Sequence, residues 1–307
     1  MIKKKIEDKE LLDHLASLPE DVREVFLMQN GQIRLTALQA TQMLCQMKAN
    51  HELGVLETYV LGQAYLAAGL LSATVKGNDR VQLNIECGGP IKGVHVEAWA
   101  CGAVRGYLKQ VPIPITKPME DFNLNELYGP GFLSISKLIE KNKSPFTGQV
   151  MMQYGDLAKD LALYYLQSEQ TPSLFFLSIQ FDKTGSVIGA GALFLQAMPG
   201  CDENLLDVLQ EKATALPSIG SFLSKGGSIQ EYVQKEFSDF SVDHLAHQGL
   251  GFSCPCNREN FANYLESLSK KEQQDILTNG PLPLQLVCFN CNTTYEFDKD
   301  ELEHLFS

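Results

Sequence analysis

Four of the eight cysteines fall in two close pairs late in the chain, Cys254-Pro255-Cys256 and Cys288-Phe289-Asn290-Cys291, with the segment 257–287 between them. A thiolate is both a metal ligand and a nucleophile. Two thiolates one or two residues apart reach the same ion from a tight turn, and two such pairs complete the tetrahedron that Zn2+ prefers. Cys254, Cys256, Cys288 and Cys291 are therefore the expected ligands of one zinc ion. Four sulfurs leave no coordination position for water, so hydrolysis at the metal is not expected. A plain structural zinc ribbon satisfies the spacing. The same spacing also permits a switch, because sulfurs this close form disulfides once oxidised and zinc keeps them in the reactive thiolate form.

Other candidates carry less. His51-Glu52 begins like a zinc-protease helix, but Val55 stands where the second histidine is needed. His244-Leu245-Ala246-His247 has metal-ligand chemistry, yet with four cysteines available the two histidines read as solvated linker residues. Cys288 and Cys291 alone look like the redox pair of a thiol-disulfide oxidoreductase, but they lack the strand–helix context and leave Cys254 and Cys256 unexplained. Cys45, Cys87 and Cys101 are expected to be buried and inert, and Cys201 lies in a loop. Neither a phosphate-cradling glycine loop nor a nucleophile elbow is present.

The elements that must position the cysteines follow from the pattern of apolar residues. Residues 11–75 read mainly as helix, with Leu56, Val60, Tyr65, Leu70 and Leu71 on a wide apolar face. Alternation marks strands at 81–85 and 94–99, joined as a hairpin through the Gly88-Gly89-Pro90 turn, and further strands are expected at 132–136, 149–152 and 174–179. A helix is expected from Asp156 to Ser168. This combination makes an α+β domain over 1–200. Residues 201–250 carry short amphipathic helices around Leu205–Leu209 and Tyr232–Phe240, too short to hold without a surface to lie on, and are expected to be a helical linker. Residues 251–307 are expected to be a small zinc-binding domain. Phe261, Tyr264, Leu265, Ile276, Leu277, Tyr295 and Phe297 offer it only a small apolar cluster, so metal should hold it together. An acidic helix, 298–306, closes it.

Composition narrows the partners. The chain has 307 residues, 44% hydrophobic and 20% charged, with 25 Lys plus Arg against 37 Asp plus Glu, a net charge of -12. Nucleic acid and anionic membrane are disfavoured, since both require a basic face. The acidity is concentrated in 201–307, with 7 basic and 17 acidic residues, against 18 and 20 in 1–200. The first eight residues have early lysines but no apolar core after them, unlike a secretory signal. The apolar run from Tyr59 to Val75 is short for a membrane span and interrupted by Gln63, Ser72 and Thr74. A soluble, cytoplasmic protein with reduced thiols is expected.

At the cysteines and beyond, the sequence resembles the redox-regulated heat-shock holdases, the family of the thirty-three-kilodalton chaperonin. Phe252-Ser253-Cys254-Pro255-Cys256-Asn257-Arg258-Glu259 is similar to the family's first pair with its Arg-Glu. Cys288 to Cys291, followed by Tyr295 and Phe297, is similar to the second. Gly89-Pro90-Ile91, Arg105-Gly106-Tyr107, Ser168-Glu169-Gln170, Gly191 with Leu195-Gln196, and Met198-Pro199 stand in order where the family has similar signatures. Asn257, Asn260 and the Cys87-Gly88-Gly89-Pro90 turn depart from it. The resemblance implies a chaperone, not an enzyme, that uses no nucleotide. It implies that zinc-bound reduced protein is largely inactive, and that oxidation forms Cys254–Cys256 and Cys288–Cys291 disulfides and expels zinc. The C-terminal segment and linker then loosen and expose apolar surface that holds unfolding client proteins. A homodimer is implied for the oxidised form.

Overall fold

The computed structural model describes residues 1–115, 123–140, 142 and 144–307. Helix α1 (Lys9–Ser17) leads to the hairpin of β1 (Val22–Met28) and β2 (Ile33–Gln39), then to α2 (Thr41–His51) and α3 (Val55–Leu71). The meander β3 (Arg80–Cys87), β4 (Gly93–Trp99), β5 (Ala103–Leu108) is followed by the one-turn α4 (Asn125–Tyr128), by β6 (Gly131–Leu138) and β7 (Phe146–Met151), by α5 (Leu157–Gln167), and by the hairpin of β8 (Ser173–Phe181) and β9 (Val187–Ala197). Three helices come next, α6 (Glu203–Ala215), α7 (Ile219–Leu223) and α8 (Ile229–Glu236), then β10 (Val242–Gly249) and β11 (Gly251–Phe252). The chain finishes with α9 (Arg258–Glu266), α10 (Lys270–Asn279), the hairpin of β12 (Leu284–Cys288) and β13 (Thr293–Phe297), and α11 (Lys299–Leu305).

The strands form a five-stranded sheet, β10-β1-β2-β9-β8, and a six-stranded sheet, β11-β5-β4-β3-β6-β7. Helix α3 touches strands of both sheets. Its Val60, Leu61, Ala64, Tyr65, Ala68 and Leu71 are fully buried, so apolar contact surrounds it on every side. The 81–85 and 94–99 strands pair antiparallel as expected. Helix α5 starts where expected, with the Asp156 carboxylate accepting from Ala158 N and Lys159 N.

The reading of 11–75 as mainly helix needs correction, because β1 and β2 lie inside it. Their sheet is covered on both faces, and β1, Val22-Arg23-Glu24-Val25-Phe26-Leu27-Met28, shows no apolar alternation, although Ile33-Arg34-Leu35-Thr36-Ala37 in β2 does. Asn30-Gly31, both with positive φ, makes the turn between them and is the local signal of a hairpin.

One face of the five-stranded sheet meets α6, α7 and α8. Phe26, Met28, Ile33, Leu35, Leu193 and Leu195 from the strands form a single apolar cluster with Leu209, Ile219, Leu223, Tyr232, Val233 and Phe237 from the helices. Segment 201–250 is thus helical in its first part and ends in β10, a strand paired with β1.

Asp21, just before β1, accepts from the backbone N–H groups of Gln42 and Met43 at 3.2 and 2.6 Å and ties β1 to the start of α2. Burial pushes its carboxyl up to about 7. A carboxyl raised in the folded state binds protons that the unfolded chain has already lost, so stability falls as pH rises from about 4 towards 7. The loss has an upper bound of about 4 kcal/mol. Asp21→Asn does not ionise and should flatten this slope when urea unfolding is compared at pH 5 and pH 8.

Candidate metal centre

Cys254 is positioned by the end of a sheet. Gly251 and Phe252 pair parallel with Ala103 and Val104 of β5, and Ser253 N donates to Val104 O at 3.0 Å. Phe252 is buried against the rings of Tyr65 and His51, which fixes where the chain leaves the sheet and enters the first cysteine loop. Burial pushes the His51 imidazole down to about 4, so this ring is neutral near neutral pH.

The second loop caps the β12–β13 hairpin. Cys291 N and Asn292 N both donate to Cys288 O, at 3.2 and 2.7 Å. Asn292 takes the left-handed conformation, with φ 53°, which asparagine tolerates better than most residues.

The two loops bring all four sulfurs within 4.8 Å of one another, and all four cysteines are buried. The Cys254–Cys288 sulfurs are 3.8 Å apart and the Cys256–Cys291 sulfurs 3.4 Å. Sulfurs around a tetrahedral ion with bonds of about 2.3 Å stand about 3.8 Å apart, so the four-thiol set fits a metal ion with little adjustment. None of the cysteines is in a disulfide. Among the described residues, no other set of His, Cys and carboxylate groups converges in this way.

The surroundings favour negative charge on one sulfur, that of Cys254. Hydrogen bonds from Cys288 and Cys291, with further help from Arg105, hold the Cys254 thiol well below its ordinary range. The Arg105 Nη1 lies 3.3 Å from Cys254 Sγ, and its Nε donates to Glu97 at 2.7 Å. Cys288, beside the Cys254 thiolate, is pushed well up. Cys291 is pushed up to about 11, first by Cys254. Cys254 is thus the sulfur best prepared to be a thiolate, and a metal ion held by all four would require the others to give up their protons.

The loops are also fastened to the N-terminal part of the chain. The buried Asn50 side chain donates to Cys291 O at 3.0 Å, Asn292 donates back to Asn50 O at 2.9 Å, and Gly106 N donates to Asn290 O at 3.2 Å. Ile2 N donates to Thr293 Oγ1 at 3.1 Å, and Thr293 Oγ1 lies 3.2 Å from Cys291 Sγ. Asn50, Thr293, His51 and the role of Arg105 are not legible from cysteine spacing. Arg105 stood only within a short sequence signature.

The remaining expectations divide. Cys45 is buried, and burial pushes its thiol up to about 12, as an inert thiol requires. Cys87 is only half-buried and Cys101 is exposed, against the expectation of burial. Each lies at or beyond a strand end, where the alternating burial of the strand stops. Cys201 lies between β9 and α6 and is half-buried. Tyr264, expected in the small C-terminal cluster, points largely to solvent, while Leu265, Tyr295, Phe297 and Leu302 are buried. His244 and His247 are on β10, not in an irregular linker. No helix among the described residues is long and apolar enough to cross a membrane.

Comparison with known proteins places this architecture. The family model described as Hsp33 protein matches residues 21–298. A 33 kDa chaperonin of Desulforamulus reducens is 31% identical, over 90% of this chain and 94% of its own length. One from Clostridium botulinum is 33% identical over 90% of this chain and 94% of its own. The crystal structure of the 33 kDa chaperonin of Thermotoga maritima superposes with a TM-score of 0.82 at 28% identity, covering 94% of this chain and 98% of that one. Because the match runs through both sheets, the helices that cover one of them and the paired cysteine loops alike, the chain belongs to the Hsp33 family, the redox-regulated 33 kDa chaperonins, which act on client proteins as chaperones and not as enzymes.

Proposed function

We propose that one Zn2+ held by Cys254, Cys256, Cys288 and Cys291 keeps this chaperone at rest, and that oxidation of those thiolates to Cys254–Cys256 and Cys288–Cys291 disulfides turns it into an ATP-independent holdase. The observation that carries the reading is the convergence of four sulfurs within 4.8 Å from two loops well separated in the chain. When bound, zinc holds the sulfurs as thiolates and cross-links the two loops.

The chemistry is done by the cysteines. Each thiolate pair gives up two electrons as its S–S bond forms, and one hydrogen peroxide takes them, its O–O bond breaking and two protons being taken up to give two waters. Two peroxides complete both disulfides and remove the four anionic ligands. Cys254 and Cys256, like Cys288 and Cys291, are near neighbours in the chain, so each pair closes without leaving its own loop.

Loss of the cross-link frees residues 251–307. The linker, residues 201–250, then separates from the sheet of the client-binding domain, residues 1–200. The uncovered surface is the strand side of the apolar cluster now shared with α6, α7 and α8. An apolar face of this kind takes unfolding proteins, and the net charge of -12 keeps the complexes soluble. The protein works in the cytoplasm, where thiols are kept reduced. It binds neither nucleic acid nor membrane and forms a homodimer when oxidised.

The test treats reduced, zinc-loaded protein with peroxide or hypochlorous acid, follows metal release with a chromogenic chelator, and measures suppression of a client's thermal aggregation. Metal release and suppression should rise together. Oxidised protein that suppresses aggregation no better than reduced protein would show the reading to be wrong.

A further inference from the structure

His244 and His247 are not free linker histidines. The His244 Nε2 lies 2.7 Å from one carboxylate oxygen of Glu24, and the His247 Nδ1 lies 2.7 Å from the other. The Glu24 side chain is only 6% exposed, whereas the two histidines are 43% and 57% exposed. Each ring nitrogen faces its own carboxylate oxygen, the arrangement in which an imidazole N–H donates and the oxygen accepts.

Residues three apart on a regular strand point to opposite faces. A bulge in β10 removes that obstacle: Val25 pairs with Ala246 and Phe26 with His244, leaving Leu245 as the extra residue. Both imidazoles therefore turn to the same carboxylate, a known use of β-bulges. The Phe26 ring packs edge-to-face with His244, centroids 5.3 Å apart.

The position of the carboxylate gives the contact its meaning. Glu24 alternates with Phe26 and Met28 on β1 and pairs with Ala37 of β2, and those three neighbours belong to the apolar cluster covered by α6, α7 and α8. Glu24 is thus a buried charge on the face the linker covers. Its two side-chain partners sit on β10, the strand that joins the linker helices to Cys254. With β10 in place the imidazoles hold the charge, and with β10 gone water does.

We propose that His244 and His247 are a latch on the switch: by donating to Glu24 they hold β10 against β1 and set how readily the linker lets go. They are positioning residues, acting through Glu24. The consequence for activation rests on the redox-switch reading, but the latch itself does not.

The test reads hydrogen exchange of the β10 amides in full-length, reduced, zinc-loaded protein, with the buried α3 amides as a control for global unfolding. H244A/H247A leaves a buried carboxylate without its donors in the closed form alone, so β10 should exchange about tenfold faster while α3 is unchanged. Adding Glu24→Met removes the stranded charge and should restore protection to within about twofold, a rescue that ordinary damage to the strand would not show. H244Q/H247N keeps an N–H donor at each site and should exchange like the parent. Half-activation of H244A/H247A should need less peroxide. Unchanged β10 exchange in H244A/H247A, absence of rescue by Glu24→Met, or alanine-like exchange of H244Q/H247N would each overturn the latch. Parent protein that no oxidant activates would instead sink the switch reading and leave the exchange result standing.

Discussion

Cys288→Ser should weaken zinc binding by roughly 70- to 900-fold, taking structural zinc at about 10–16 kcal/mol spread over four ligands. The serine hydroxyl does not supply the anion that the missing thiolate did, and Cys254 loses the neighbour that does most to hold its thiol low. The effect should spread beyond the metal. Within the C-terminal unit the buried apolar side chains are few, chiefly Leu265, Tyr295, Phe297 and Leu302. A core that small does not hold a segment of this length on its own. Hydrogen exchange over 254–307 should therefore approach that of an open chain, while β3, β4 and α3 keep their protection. Competition against a chromogenic chelator measures the first effect and exchange the second. Zinc stoichiometry and affinity equal to the parent's would contradict the four-sulfur site. A protected C-terminal unit after metal loss would show that its contacts with Asn50, Gly106 and Ile2 hold it alone.

Gly189→Val should activate the reduced protein while leaving its zinc in place. Gly189 is in β9 beneath α7, where a β-carbon would run into Gly220 O and stand 2.8 Å from Ser224 N. These are backbone atoms, so no rotamer change relieves the clash. Valine suits a strand, so the burden falls on the packing of α7. Overpacking of this kind costs about 1–3 kcal/mol, which raises the share of protein with an undocked linker by about 5- to 150-fold. Reduced, zinc-loaded Gly189→Val should suppress client aggregation without oxidant. If it stays at rest although exchange shows α7 released, the surface that takes clients lies elsewhere than under this helix.

Legibility in the sequence followed solvent. Strands β3, β4, β6, β7 and β8 could be located from apolar patterning. Helices α3, α5, α6 and α11 were legible for related reasons: an apolar run of the right length, an aspartate at the start, a short amphipathic pattern, an acidic closing stretch. β1 was hidden because both faces of its sheet are covered and its residues do not alternate, whereas β2 carries the alternation Ile33-Arg34-Leu35-Thr36-Ala37 and was legible in the sequence. β10 was hidden for the opposite reason. Most of it is exposed, and its bulge breaks the alternation. The Asn30-Gly31 turn was the local signal that would have exposed the first hairpin.

The four cysteines needed no fold to be picked out, because thiolate chemistry depends on residue type and on how close two sulfurs lie along the chain. Residue types and spacing by themselves picked out the four-cysteine cluster, the α+β class and the acidity of the last third of the chain. Only the tertiary structure decided what the cluster is fastened to. Arg105 reaches Cys254 and Asn50 reaches Cys291 across sequence separations of 149 and 241. His244 and His247 find Glu24 across separations of 220 and 223. Hydrogen bonds between groups so distant in sequence leave no local periodicity. They exist because hydrophobic burial folds the sheets around α3 and so brings those groups within reach.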